Sequence, residues 1–217
     1  MPMLGISSSG IQSYMNTTKH ITHLVFDMGG VLIRLQWHEN VSKILGRLIN
    51  SNEIHKLWVN SPAASSFDKG LIDFDTFYDV FQQEFDVSLS RAEFEQLFAD
   101  MLQEDYPETL STLKLLSETH SLALLSNTNP FHWEMIRQRN TFLPIFNHVF
   151  TSISLGLMKP DPKIYQKVQA ALGVDAGSIL FFDDSTLNVE SARASGWNAE
   201  VVHGMQDVVS NVELYCR

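Results

Sequence analysis

Four short apolar runs frame this chain: residues 21–26, 121–125, 148–151 and 179–182. Each is rich in β-branched, leucine or aromatic residues, and such runs read as buried strands. Between them lie stretches with helical spacing. Residues 107–120 carry Leu110, Leu113 and Leu116 at three-residue steps, and 130–140 and 162–172 each open near a proline, which suits the first turn of a helix. Strand alternating with helix predicts a doubly wound α/β core with a parallel sheet. Ligands of such sheets bind beyond the carboxyl ends of the strands. Three of the four runs end there on polar residues, Asp27, Ser126 and Asp183, which are expected to meet in one crevice.

Residues 35–105 have a different pattern. They contain no convincing strand, and 40–50, 51–60, 73–85 and 90–103 read as helices. Ser90 followed by Glu93 is a capping-box pair. Phe94, Leu97, Phe98 and Met101 then make an apolar stripe, read as packing within a helical unit. An all-helical insert after the first strand would form a cap over the crevice. The expected division is a loosely ordered lead-in at 1–20, a core of 21–34 and 106–217, and a helical cap at 35–105.

The formal net charge of −10 argues against binding a nucleic-acid backbone. It does not forbid a small anionic ligand, since a local lysine or metal can reverse the field in a pocket. The single cysteine, Cys216, cannot form an internal disulfide, which fits a reducing, cytoplasmic setting. No apolar run approaches the roughly 18 residues that would suggest a membrane span. The first twenty residues lack the basic and apolar regions of a signal peptide. Oligomeric state is left open.

Four motifs carry chemistry. Asp27 stands directly after a strand and is followed by Met28, Gly29 and Gly30. A carboxylate there can act as a nucleophile or bind Mg²⁺, or it can merely cap a turn. Ser126, Asn127, Thr128 and Asn129 lie between a strand and a helix, where backbone N–H groups suit an anion such as phosphate. Ordinary N-capping by Thr128 or Asn129 explains the same residues. Lys159 precedes a proline-initiated helix and could neutralise charge in the crevice, although a lone lysine is more often at the surface. Asp183 and Asp184, with Asn188 following, are adjacent carboxylates after an apolar strand, a costly pair unless a cation compensates them. Oxygen ligands of this kind suit Mg²⁺.

In their order and setting these four motifs resemble those of the haloacid dehalogenase superfamily, in members with a helical cap between motifs one and two. The resemblance runs from about residue 21 to residue 209. Within the superfamily the chain is similar to the bacterial α-glucose-1-phosphate phosphatase group. That group shares the Asp-x-Gly, Leu-Ser-Asn-Thr-Asn and Phe-x-Asp-Asp patterns and a cap segment like Phe67-Asp68-Lys69-Gly70. The resemblance implies a Rossmann-like core and a Mg²⁺-dependent phosphatase acting on a small phosphorylated metabolite, such as a sugar 1-phosphate. It implies that Asp27 forms an aspartyl-phosphate and that water hydrolyses it. Mg²⁺ would be held by Asp27, the Gly29 backbone carbonyl and Asp184, with Asp183 and Asn188 behind them. Ser126 and Asn127 would bind the phosphoryl oxygens, and Lys159 would offset their charge.

One position departs from the superfamily pattern. Most of its phosphatases carry a second Asp two residues after the first, as general acid and base. Gly29 stands there instead. Such a group contributes on the order of 10²–10⁴-fold, so the expected substrate has a good leaving group. A 2-haloacid dehalogenase also lacks that Asp, but needs no metal and lacks paired acids in the fourth motif. A non-catalytic member of the fold is the third reading. Trp37, His38, Lys69 and Phe131 are the expected cap-side candidates for substrate contact, with His38 and Lys69 also reading as solvated surface groups.

Overall fold

The computed structural model describes residues 20–139 and 141–216; the proposed lead-in, apart from His20, lies outside the described residues, as does the expected helix end at Asn140. The strands are β1 (His23–Phe26), β2 (Ile33–Leu35), β3 (Leu102–Asp105), β4 (Ser121–Ser126), β5 (His148–Thr151), β6 (Ile179–Asp183) and β7 (Asn198–Val201). Between β2 and β3 run α1 (Trp37–Ile44), α2 (Ser51–Asn60), α3 (Pro62–Asp68), α4 (Phe74–Phe85) and α5 (Arg91–Ala99). The remaining helices are α6 (Thr109–Ser117), α7 (Pro130–Arg139), α8 (Ser152–Leu155), α9 (Pro162–Leu172), α10 (Thr186–Ala194) and α11 (Met205–Tyr215).

The main sheet is parallel, in the order β5-β4-β1-β6-β7. Successive side chains of a strand point to opposite faces, and here both faces are covered. Leu24 and Phe26 of β1, with Leu122, Leu124, Leu180 and Phe182, pack against α6, α7 and α11. Val25, Ala123, Leu125 and Phe181 pack on the other face against α9 and α10. This is the doubly wound α/β architecture, and two-sided burial explains why its central strands are continuously apolar.

The helical segment builds its own core. Phe67, Phe77, Phe81, Phe94 and Phe98 are buried together with Trp58, and the Phe67 and Phe77 rings stack at 4.4 Å. The Phe94–Met101 stripe lies in this cluster as expected, and Ser90 and Glu93 form the expected capping box.

Several elements depart from the sequence expectation. Residues 90–103 do not form one helix: α5 stops at Ala99, and the chain returns as β3. β3 pairs antiparallel with β2, so the segment expected to lack strands closes on a two-stranded ribbon. β7 adds a fifth strand to the sheet. The sequence of β3, Leu-Gln-Glu-Asp, has one apolar residue, and that of β7, Asn-Ala-Glu-Val, has two. Strands this short and polar carry no periodic signal, and pairing partners far along the chain decide them. α3 was likewise not expected; it begins on Pro62, and the Ser61 hydroxyl caps it by accepting from Ala64 N–H. Among the described residues no helix is long and apolar enough to cross a membrane.

Candidate active site

The sheet order places β1 between β4 and β6. Asp27, Ser126 and Asp183 therefore stand at the carboxyl ends of three neighbouring strands. The Asp27 amide donates to the Phe182 carbonyl at 2.8 Å, which locks the end of β1 to the end of β6. Gly30 follows with φ of 72°, a conformation open to glycine at little cost. A Cβ there would also collide with the Asp184 carboxylate, so the bare backbone is what lets the two loops meet.

Lys159 is almost fully buried, unlike most lysines. Its ammonium lies 2.8 Å from Asp27 Oδ1 and 2.6 Å from Asp183 Oδ2, and it donates to the Leu125 carbonyl at 3.0 Å. Asn127 holds this lysine in place. Its Oδ1 accepts from the Lys159 amide and its Nδ2 donates to the Lys159 carbonyl, both at 2.9 Å. The side chain of Asn127 is thus committed to the Lys159 backbone, and any contact it makes with an anion falls to its main chain. Ser126 is buried with its hydroxyl turned to the Asn127 carbonyl at 3.3 Å, and it does not line the cavity.

Asp183 is fully buried and its oxygens are engaged. Oδ1 accepts from Ser185 N–H at 2.8 Å, and Asn188 Nδ2 reaches both oxygens at 2.9 and 3.1 Å. It acts as a fixed support. Asp184 is different: burial pushes its carboxyl up to about 8, with the charges of Asp27 and Asp183 adding and Lys159 opposing. Burial likewise raises Asp27 to about 6 against the pull of Lys159. For Lys159 burial acts downward, but Asp183 and Asp27 outweigh it and raise its pKa. Ligand oxygens of Asp27, Asp183 and Asp184 lie within 4.8 Å of one another. One ammonium faces three carboxylates, so the cluster has room for further positive charge.

These groups open into a cavity of about 810 Å³. Asp27, Gly29, Asn127, Lys159, Asp184 and Asn188 line it, as do Trp37 and His38. Lys69 and Phe131 do not. Phe131 stacks on Phe74 at 4.5 Å as part of the helical core, and Lys69 is the C-cap just after α3. Two further lining residues, Asp68 and His132, escaped sequence reasoning. Asp68 stands in the Phe67-Asp68-Lys69-Gly70 segment of the resemblance, but only Lys69 of that segment was expected to reach the substrate, and a lone histidine after Asn-Pro-Phe gives no sign of burial. Leu35 packs over the bare position 29. Its Cδ1 would stand 2.6 Å from a Cβ built on Gly29, so a second motif-one side chain requires the leucine tip to move aside.

The sequence profile of haloacid dehalogenase-like hydrolases matches residues 21–196, most of the chain and all of these motifs. The chain belongs to this family. Among curated members of known name, a phosphatase of Mycobacterium tuberculosis is 28% identical over 191 residues, covering 84% of this chain and 87% of its own. A sesquiterpene phosphatase of Aspergillus oryzae is 27% identical over 180 residues, covering 79% and 85%. Among solved haloacid dehalogenase family structures, an enzyme of Bacteroides thetaiotaomicron in complex with magnesium and inorganic phosphate aligns with a TM-score of 0.68. It is 26% identical, and the alignment covers 83% of this chain and 93% of that one.

Proposed function

We propose that this haloacid dehalogenase-like hydrolase is a Mg²⁺-dependent phosphatase of small phosphorylated metabolites, with Asp27 as nucleophile. The observation that carries the reading is the buried Asp27–Lys159–Asp183–Asp184 cluster at the end of the sheet. The named phosphatase relatives, and the related structure solved with magnesium and phosphate, support it.

The donor set suits Mg²⁺. It is all oxygen, as a hard cation requires. Burial first, and the neighbouring charges of Asp27 and Asp183 second, raise the pKa of Asp184, and a cation bound among these carboxylates would offset both effects. Asn188 Oδ1 is buried with no hydrogen-bond partner among the described residues. Asp27, Asp184 and the Gly29 carbonyl would hold the ion, with Asp183 and Asn188 behind them. β2 leaves that carbonyl out of its ties: Ile33 bonds the Met28 carbonyl and the Gly30 amide on either side. Bound there, Mg²⁺ would neutralise charge on the phosphoryl oxygens.

The chain's own residues do the rest. Asp27 Oδ attacks phosphorus and forms an acyl phosphate as the bond to the leaving oxygen breaks. Water then attacks the same phosphorus, releases inorganic phosphate and returns the carboxylate. Lys159 offsets developing charge throughout, and Asp183 and Asn127 keep it in position. The Asn127 main chain and the Ser126 hydroxyl, after rotation about χ1, would take the phosphoryl oxygens. With Gly29 in place of an acid, the leaving oxygen departs largely unassisted, which favours a sugar 1-phosphate over an ordinary alkyl phosphate.

The test is phosphate release from a panel of sugar and aryl phosphates with Mg²⁺, comparing wild type with Asp27→Asn. Equal background from both proteins would overturn the reading in favour of a non-catalytic member of the fold. A 2-haloacid dehalogenase would account for Gly29, but it leaves the paired acids Asp183 and Asp184 without a task. Activity on 2-haloacids that survives EDTA would favour it.

A further inference from the structure

The wall of the cavity holds a carboxylate that the proposed mechanism does not use. Asp68 is the last residue of α3, in the helical segment, and it is 5% exposed. It lines the same cavity as Asp27, Lys159 and Asp184. Its Oδ2 accepts from the Trp58 indole N–H at 2.9 Å, and its Oδ1 from Asn129 Nδ2 at 3.4 Å. Both donors are neutral, and no cation pairs with Asp68 among the described residues.

The carboxylate is held by groups that are themselves fixed. Asn129 follows Ser126 by three positions, past the end of β4. Its Oδ1 accepts from the His132 amide at 2.9 Å, which settles the orientation of its side-chain amide. Asn129 Nδ2 therefore points to Asp68 and to His132 Nδ1, the latter at 3.1 Å. With Nδ1 accepting, His132 carries its proton on Nε2 and donates it to the Phe98 carbonyl at 2.7 Å. Trp58 is packed in turn among Phe77, Phe81 and Phe98. Asp68 is thus an anion prearranged in the cavity wall.

A carboxylate offers about four acceptor sites, and two are taken here. The others remain for a ligand. A buried anion without a cation is costly unless it is hydrogen-bonded, so a ligand that supplies donors gains from meeting it. A ligand that brings a second anion meets a like charge in a poorly screened space.

We infer that Asp68, positioned by Trp58 and Asn129, is the specificity residue for the far end of the leaving group, and that it selects a hydrogen-bond donor there and rejects an anion. The inference rests on the phosphatase reading and narrows its substrate class. The substrate is a monophosphate whose leaving group carries a hydroxyl or ammonium at the far end, not a second phosphate or a carboxylate. Leu35, Trp37 and Met158 line the same cavity and suit the carbon face of such a group. Burial raises Asp68 to about 6, which leaves it mostly ionised at neutral pH.

The experiment uses one scaffold with three far ends, at pH 7.5 with Mg²⁺: glucose 1-phosphate, 6-amino-6-deoxyglucose 1-phosphate and glucose 1,6-bisphosphate. Wild type should favour at least one of the first two over the bisphosphate by about 10²-fold in kcat/KM, mostly through KM. In Asp68→Asn that ratio should collapse to within about threefold, and Asp68→Ala should repeat the result if the asparagine folds poorly. A ratio between substrates is blind to a uniform loss of activity, so a purely structural role for Asp68 would leave it unchanged and overturn the inference. Equal use of all three substrates by wild type would overturn it as well. Absence of any Asp27-dependent phosphate release would overturn the phosphatase reading itself, and the inference with it.

Discussion

Lys159 Nζ lies 2.8 Å from Asp27 Oδ1, in a setting where the lysine side chain is 1% exposed. The same ammonium lies 2.6 Å from Asp183. One cation therefore compensates the proposed nucleophile and the carboxylate behind it. It also ties the loop after α8 to the ends of three strands, β1, β4 and β6.

Removing that cation should unfold the protein more readily as well as inactivate it. Lys159→Met leaves Asp27, Asp183 and Asp184 together without compensation. Loss of one partner of a buried pair costs about 3–5 kcal/mol. Urea denaturation of the metal-free variant should show a loss of that order. A loss below about 1 kcal/mol would mean that the carboxylates take up protons readily and that Lys159 matters little to the fold.

Asp184 should behave in the opposite sense. Its folded pKa is raised above the unfolded value, so its ionisation weighs against the fold as pH rises toward 8. Without metal, Asp184→Asn should raise Tm at pH 8 by about 5 °C. Mg²⁺ should raise the Tm of wild type and leave that of the variant almost unmoved. Equal Mg²⁺ shifts in both proteins would exclude Asp184 as a ligand.

Gly29 and Leu35 form a second testable pair. Gly29→Asp restores the usual acid position, but its Cβ meets Leu35 Cδ1. The double variant Gly29→Asp with Leu35→Ala should raise kcat/KM on alkyl phosphates by at least about 10-fold, and more than the single variant does. In wild type, rate should fall steeply with leaving-group pKa across aryl phosphates. A flat dependence with chemistry rate-limiting would show that some other group protonates the leaving oxygen.

His132 and Asp68 should give opposing acid responses. Burial lowers His132 to about 4, so the stability it contributes is complete above its unfolded value of 6.5 and is lost as pH falls toward 4. Burial raises Asp68 from 3.8 to about 6, so its ionisation penalty fades as pH falls from 6 toward 4. Melting curves between pH 7 and 4.5 should therefore fall more steeply for Asp68→Asn than for wild type. They should fall less steeply for His132→Gln. Parallel curves for all three proteins would show that neither group titrates as its burial implies.

The frame of the fold was legible because it is local. Leu24, Val25 and Phe26 are all apolar because both faces of β1 are covered, and that run followed by Asp27 marks a strand end wherever the strand sits in the sheet. The Ser90–Glu93 cap and the Pro162 start of α9 are equally local. Other features were decided only across the fold. β3 is a strand because β2 lies beside it. Asn127 is a clamp because Lys159 passes within reach of its amide, 32 residues on. Asp68 faces the cavity because Asn129, 61 positions away, meets its carboxylate. Periodicity and chain punctuation record what a residue does to its own backbone. They do not record which distant group arrives beside its side chain, and here that arrival is what sets the charge of the site.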